Sequence, residues 1–365
     1  MRGLRRFQRG PSSKLPTQAE LCSSIGTTTS TLDGALRDLE AANVIYRKQG
    51  SGIFVSPKLH CKNIRVLINA SLVDQIGASP FWGILWAKIV KEGQTRSAFN
   101  NEEIHFQLVA CGPDITSLPA NVVRIIKNGP LDGLICIGMT QTISVVPPQI
   151  PLVAFAGSGH WHVAVRHSVV VAEAVRRLSL LGCRNVGYWV TSGSIVQETR
   201  TTILANQTMQ SFRSALYANG LSYQPSLNYI GSVPASESLR DEIVGGTPYI
   251  SHQEEGYGAV MRAFSDSSPI RPDGLVIVND MMTLGVLAAL RQIGIRPGID
   301  IQIASHSNPG SPVLYGWENQ LLLWQVDPEE IVTAMFAILD RLMAGETPDK
   351  PVVYIEQRFP ERFPE

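Results

Sequence analysis

Thr28, Thr29, Ser30 and Thr31, the last four of five consecutive hydroxyl side chains, stand ahead of Arg37, and two cations, Arg47 and Lys48, stand beside Gly50-Ser51-Gly52. With Lys14 upstream, these groups can donate hydrogen bonds and pair with anions, and nothing in their spacing suggests bond-breaking work. Hydroxyls and cations of this kind meet phosphates and base edges, so double-stranded DNA is the partner they imply. Covalent chemistry finds no support elsewhere in the chain. No Gly-x-Ser-x-Gly elbow, phosphate-binding loop or Cys/His pair with an orienting acid occurs. Gly157-Ser158-Gly159-His160-Trp161-His162 lacks the third glycine of a dinucleotide fingerprint and reads as a connecting loop between two halves of the chain. His160 and His162 could aim two imidazoles at a metal, but no third ligand follows at matching spacing. The expectation is a binding protein, not an enzyme, with no cofactor and no metal.

The elements that must position the DNA-directed residues run from Leu15 to Val55. Thr17 and Glu20 have the spacing of a capping box, which starts a helix at Thr17. Gly26 tolerates positive φ and permits a sharp turn into a second helix. In that helix Leu32, Ala35, Leu36 and Leu39 form one apolar stripe, so its hydroxyl-rich start faces outward, as a recognition helix presents itself to a major groove. Asn43 ends it. Val44-Ile45-Tyr46 and Ile53-Phe54-Val55 read as strands around the turn Gln49-Gly50-Ser51-Gly52, with Arg47 and Lys48 flanking the wing tip.

Charge follows the same division. Residues 1–60 hold nine Lys/Arg against four acids, and the remainder holds 22 against 27, although the whole chain is neutral. A small basic head and a mildly acidic body suit contact with a polyanion. Cys22, Cys61, Cys111, Cys136 and Cys183 are odd in number and mostly lie within apolar runs, so they read as reduced core residues. No apolar run has the length of a membrane span and no signal-peptide core follows the arginines near the start. A cytoplasmic location is expected.

The head resembles the DNA-binding domain of GntR-type regulators in Leu15-Pro16-Thr17, in Ala35-Leu36-Arg37-Asp38-Leu39-Glu40 and in Gln49-Gly50-Ser51-Gly52-Ile53-Phe54-Val55. The resemblance implies a winged helix-turn-helix. It also implies arginines at three positions that hold Ala19, Thr29 and Asp33 here, leaving the hydroxyls, Arg37 and the wing to read DNA. The family's first helix would need about a dozen residues ahead of Gly10, where Met1–Arg9 stand. An unusual operator or a weakened grip is the expected consequence.

From Ile64 onward apolar strands alternate with amphipathic helices, the pattern of doubly wound α/β lobes. Strands are predicted at 64–70, 106–111, 133–137, 152–156, 186–190, 274–278 and 301–304, and helices at 81–93, 122–127, 170–181, 209–218, 256–264, 281–293 and 328–343. The division expected is a head over 1–57 and a bilobed body over 58–365. Lobe one should hold about 63–157 and 326–345, and lobe two about 162–322 and 350–365.

The body resembles the effector domain of LacI/GalR-type regulators, which is periplasmic-binding-protein-like. The resemblance rests on Ser79-Pro80-Phe81-Trp82, Asp132-Gly133-Leu134-Ile135, Leu181-Gly182-Cys183-Arg184-Asn185-Val186-Gly187 and Asn279-Asp280-Met281-Met282-Thr283-Leu284-Gly285. It implies a small-molecule effector between two lobes, hinge closure and a homodimer whose DNA readers respond to closure. Carried over by position, Phe81 and Trp82 offer an aromatic wall, and Asn279, Asp280 and Gln325 offer hydrogen bonds. Arg166 and His306 replace acids of the family and Thr208 replaces an arginine. With His167 they extend the expected effectors from sugars to sugar acids and phosphosugars. The reading is a transcriptional repressor governed by a carbohydrate-like effector. Its alternatives are a metabolite-binding module with a degenerate reader and, from the cleft histidines alone, an enzyme.

Overall fold

The computed structural model describes residues 12–41, 44–56, 61–70, 72, 79–110, 118–139, 145–191, 200–230, 251–265 and 270–360. Asn43, Cys111 and the arginines ahead of residue 12 lie outside them.

The head contains α1 (Gln18–Ile25), α2 (Thr29–Ala41), β1 (Ile45–Lys48) and β2 (Gly52–Val55). Thr17 and Glu20 close a reciprocal capping box: Thr17 Oγ1 accepts the Glu20 N–H at 3.3 Å, and Glu20 Oε2 accepts the Thr17 N–H at 2.8 Å. Gly26 then takes φ +69°, which turns the chain toward α2. Leu32 and Leu36 are buried with Val44 and Ile45, and Leu15, Leu21 and Ile53 close over them. Each such leucine contributes roughly 1.5–3 kcal/mol, which explains how so small a unit holds two helices against a hairpin. The hairpin pairs Ile45 with Val55 through Lys48 with Gly52. Lys14 bridges Phe54, so the entering chain runs along the far side of β2.

Two parallel sheets build the body. The first contains β3 (Lys62–Asn69), β4 (Glu102–Val109), β5 (Gly133–Ile137), β6 (Leu152–Phe155), β7 (Trp161–Val165) and β13 (Val352–Ile355), ordered β13-β7-β6-β5-β3-β4. α3 (Phe81–Phe99) and α9 (Pro328–Met343) cover one face, while α4 (Ala120–Asn128) covers the other. The second sheet contains β8 (Val186–Val190), β9 (Tyr229–Ile230), β10 (Gly274–Ile277), β11 (Gln302–Ser307) and β12 (Leu322–Gln325), ordered β12-β11-β10-β8-β9. α5 (His167–Leu180) and α6 (Arg200–Ala218) pack on one face of it, and α7 (His252–Ala263) and α8 (Asp280–Gln292) on the other. All-parallel sheets must be buried on both faces, and strands such as Gly133–Ile137 and Val186–Val190, buried at every position, meet that demand.

The division between lobes differs from the expectation at two places. Residues 157–162 do not form the connection between lobes: Trp161–Val165 is a strand that pairs with β6 and buries Val163 in the first core. The chain crosses at Arg166, where β7 ends and α5 begins. Likewise β13 pairs with β7 in the first sheet, although 350–365 was expected in the second lobe. Only the chain beyond β13 reaches back, with Gln325 and Arg358 exchanging backbone hydrogen bonds of 2.7 and 3.0 Å and the Phe359 ring 5.9 Å from Trp324. Both strands were hard to see because short runs such as WHVAV carry polar residues within their apolar alternation. The lobes are thus joined at three places, Arg166, Val326 and Gln357, which is the connectivity of a hinge.

Candidate functional site

On the head, Thr28 and Thr31 share a hydroxyl contact of 2.9 Å, and the Thr31 N–H donates to Thr28 Oγ1 at 3.3 Å. Thr28 is therefore partly spent on holding the first turn of α2. Thr29 and Ser30 are exposed beside it. At the wing, the Ser51 N–H donates to the Lys48 carbonyl at 2.9 Å, and Gly50 and Gly52 take φ of +72° and +120°. A side chain at Gly52 would also meet Lys14 Cε at 2.9 Å, so Lys14 lies against the hairpin. Lys48, Gly50 and Gly52 are exposed. Arg37 and Arg47 stand apart from this group. Arg47 turns back from the wing to Asp33 at 2.9 Å and Glu40 at 3.4 Å, and Arg37 pairs with Asp33 at 2.8 Å.

On the body, the residues carried over by position collect at the C-terminal ends of the strands, where parallel sheets place their sites. Ser79 accepts the Phe81 N–H at 3.3 Å and donates to Asp280 Oδ1 at 3.1 Å, bringing the start of α3 in one lobe to the start of α8 in the other. Phe81 and Trp82 meet edge to face at 5.0 Å, and Phe155 lies 6.2 and 6.1 Å from them. Phe81 and Trp82 are half-buried and pack on the first core, to which the buried Phe155 belongs. Asn279 is less available than expected, because its Oδ1 accepts the Met282 N–H at 2.8 Å and caps α8.

Asp280 is 1% exposed, and burial pushes its carboxyl above the usual range against the pull of hydrogen bonds from Ser79 and the Met281 N–H. Its Oδ2 has no partner among the described residues. Asn308, which follows the neighbouring strand β11 and is 2% exposed, has both side-chain polar atoms unpaired. Buried polar atoms without partners cost free energy and are uncommon, so two at one edge mark a place built for something else to bond. Asn308 was not singled out from sequence. An asparagine before proline and glycine reads as turn chemistry, and only burial reveals it.

The cationic groups behave differently from the expectation. Arg166 lies 4.0 Å over the Tyr354 ring. His167 opens α5 at the first crossing, and Gln357 at the third lies 3.4 Å from its Nδ1. Crowding by surrounding protein lowers the His167 pKa although part of the ring keeps solvent contact. Burial, with His167 nearby, brings His306 down to about 3. His306 is uncharged at neutral pH, and the shift of His167 runs in the same direction, which weakens the positive charge expected of the pair. Gln325 is engaged through its backbone with Arg358 at the second crossing. Thr208, on α6, is buried. Among the described residues no group of three metal-ligating side chains occurs, and no helix is long and apolar enough to cross a membrane.

A capped helix pair with a wing thus stands ahead of two parallel lobes joined at three places. The periplasmic binding protein-like domain model matches residues 175–362, 188 of the 365, and the chain belongs to that family. The head matches the bacterial regulatory proteins of the gntR family over residues 4–55. The uncharacterized HTH-type transcriptional regulator YurK of Bacillus subtilis is 35% identical over 81 residues, spanning 22% of this chain and 34% of its own. The chain thus spans about a third of the length of this curated relative. Among solved structures, transcription regulator CcpA of Lactococcus lactis superimposes with a TM-score of 0.59 at 13% identity, over 82% of this chain and 97% of its own. The transcriptional regulator CelR in complex with cellobiose gives 0.58 at 14% identity, over 94% and 98%. At such identities these two structures establish the fold. These three relatives are named as transcriptional regulators.

Proposed function

We propose that the chain is a DNA-binding repressor, acting as a homodimer in the cytoplasm, whose grip on its operator is set by an uncharged, hydroxyl-rich effector between the lobes. The observation that carries the effector reading is the unpaired pair at the second sheet's edge, Asp280 Oδ2 and Asn308. Hydroxyl groups of a sugar can donate to the carboxylate oxygen and accept from the amide, the two bonds these residues lack. Sugar acids and phosphosugars fit less well, because His306 is neutral, His167 is shifted in the same direction and Arg166 is stacked on Tyr354. That a regulator of this fold binds cellobiose supports a carbohydrate. A ligand touching both lobes would favour their closed arrangement by its differential affinity and so alter the spacing of paired heads.

Thermal melting with cellobiose, gluconate and glucose 6-phosphate tests this, since a ligand bound only by the folded state raises the midpoint. A shift with the neutral sugar that disappears in Asn308→Ala supports the reading. Shifts with the two anions alone would sink it. One observation favours a second reading, a ligand-binding module that no longer binds DNA: two of the head's cations, Arg37 and Arg47, are tied up internally. Absence of salt-dependent DNA binding would decide for it.

A further inference from the structure

Thr29, Asp33 and Arg37 succeed one another at four-residue spacing, so they form one stripe along α2, and Asp33 sits in its middle. Its Oδ1 accepts from Gln18 Nε2 at 3.2 Å, from the first turn of α1, and pairs with Arg47 Nη2 of β1 at 2.9 Å. Its Oδ2 accepts from Arg37 Nη2 at 2.8 Å. Glu40 holds Arg47 a second time, through Nε at 3.4 Å and through its backbone N–H at 3.3 Å. A carboxylate with two guanidiniums on its two oxygens offers them what a phosphate group of the duplex would offer. Arg47 and then Arg37 hold the Asp33 carboxyl below the usual range, so it is charged at every pH at which a duplex is bound.

We infer that Asp33 is the affinity-setting residue of the head: in the free protein it occupies Arg37 and Arg47, and a duplex must displace it to reach them. This rests on the proposed DNA binding by the head. The Arg37 side chain is 75% exposed, and pairs so open to solvent contribute little to folding. Their effect on a polyanion is larger, because the Asp33 carboxylate offsets one of the two guanidinium charges and stands on the stripe that starts with the exposed hydroxyls. Asp33 therefore weakens non-specific attraction and leaves a greater share of binding to the hydroxyls and the wing.

The test uses the full chain and a short mixed-sequence duplex, with affinity followed against salt. Asp33→Asn keeps the shape and removes the charge. Arg37 is freed outright while Glu40 still holds Arg47, so one additional phosphate contact steepens the slope of log affinity against log salt by about 0.9, and the affinity lost on a four-fold rise in salt grows about three-fold. Binding at low salt also tightens, and both gains vanish when Arg37→Ala and Arg47→Ala are added. Asp33→Ser gives the same result if charge decides. An unchanged slope, or weaker binding by both Asp33 variants with normal melting, overturns the inference while the DNA-binding reading stands. If neither the parent chain nor the variants bind at the lowest salt although all melt cooperatively, the DNA-binding reading falls and the inference with it.

Discussion

Ser79 Oγ donates to Asp280 Oδ1 at 3.1 Å, and this bond spans the two lobes. Ser79 Oγ also accepts the Phe81 N–H at the start of α3, and Asp280 opens α8, so each partner is tied to the beginning of a helix. Such a bond holds the lobes together before any ligand arrives. Its acceptor keeps a second oxygen unpaired, so the contact leaves room for a ligand hydroxyl on the same carboxylate.

Replacing Ser79 by alanine removes one of the two donors to Asp280 Oδ1, leaving the Met281 N–H at 2.9 Å as its remaining partner and the lobes without this bond. A hydrogen bond of this kind contributes about 1 kcal/mol or more, enough to shift an open–closed equilibrium by roughly five- to ten-fold. The expected outcome is a larger radius of gyration by small-angle scattering without ligand, reversed by a saturating effector. Identical scattering curves for the variant and the parent would show that the bond does not set the equilibrium.

His306 gives the folding stability a predictable pH dependence. Its folded pKa is lowered to about 3 by burial, and His167 beside it is lowered too, whereas an unfolded imidazole takes its proton near pH ~6.5. Between these values the unfolded chain binds more protons, so stability is full above the unfolded pKa. It is lost as pH falls through that window toward the folded value. His306→Gln should flatten the decline of the melting midpoint between about pH 7 and 4. A decline as steep as that of the parent chain would mean that carboxylates alone cause it.

Much of the head was legible because its signals are local. Thr17 and Glu20 lie three residues apart, and Gly26 marks a turn by its own conformation, so cap and turn could be read directly, and so could the stripe except at Ala35, which is exposed. The lobes were legible in their long buried strands, but Trp161–Val165, Tyr229–Ile230, Leu322–Gln325 and Val352–Ile355 were missed, because their place depends on partners distant in sequence. The cleft illustrates the same limit more strongly. Asn279 looked like a ligand group and is a helix cap, whereas Asn308 looked like a turn residue and is buried without partners. Arg166 and the histidines were read by type as cations. Tyr354 and burial, neither visible in the local sequence, decide what they offer.

Two glycines should respond oppositely to alanine. α7 and α8 approach so closely that a Cβ on Gly285 would stand 1.9 Å from the Gln253 carbonyl oxygen, and one on Gly256 2.1 Å from that of Met282. Both obstacles are backbone, which cannot rotate away as a side chain can. Gly285→Ala must part the helices, and overpacking of this sort costs about 1–3 kcal/mol, outweighing the roughly 1 kcal/mol that alanine gains over glycine within a helix. Because α8 begins at Asp280, the displacement also loosens the contact with Ser79, so effector affinity should fall together with the melting midpoint. Gly34 in α2 has nothing within 4 Å of the place a Cβ would take and no positive φ. Gly34→Ala should therefore stabilise the head by up to about 1 kcal/mol, visible as slower amide exchange in α2. If Gly285→Ala melts like the parent chain, the helices are not held at contact distance and the link from α8 to the cleft is absent.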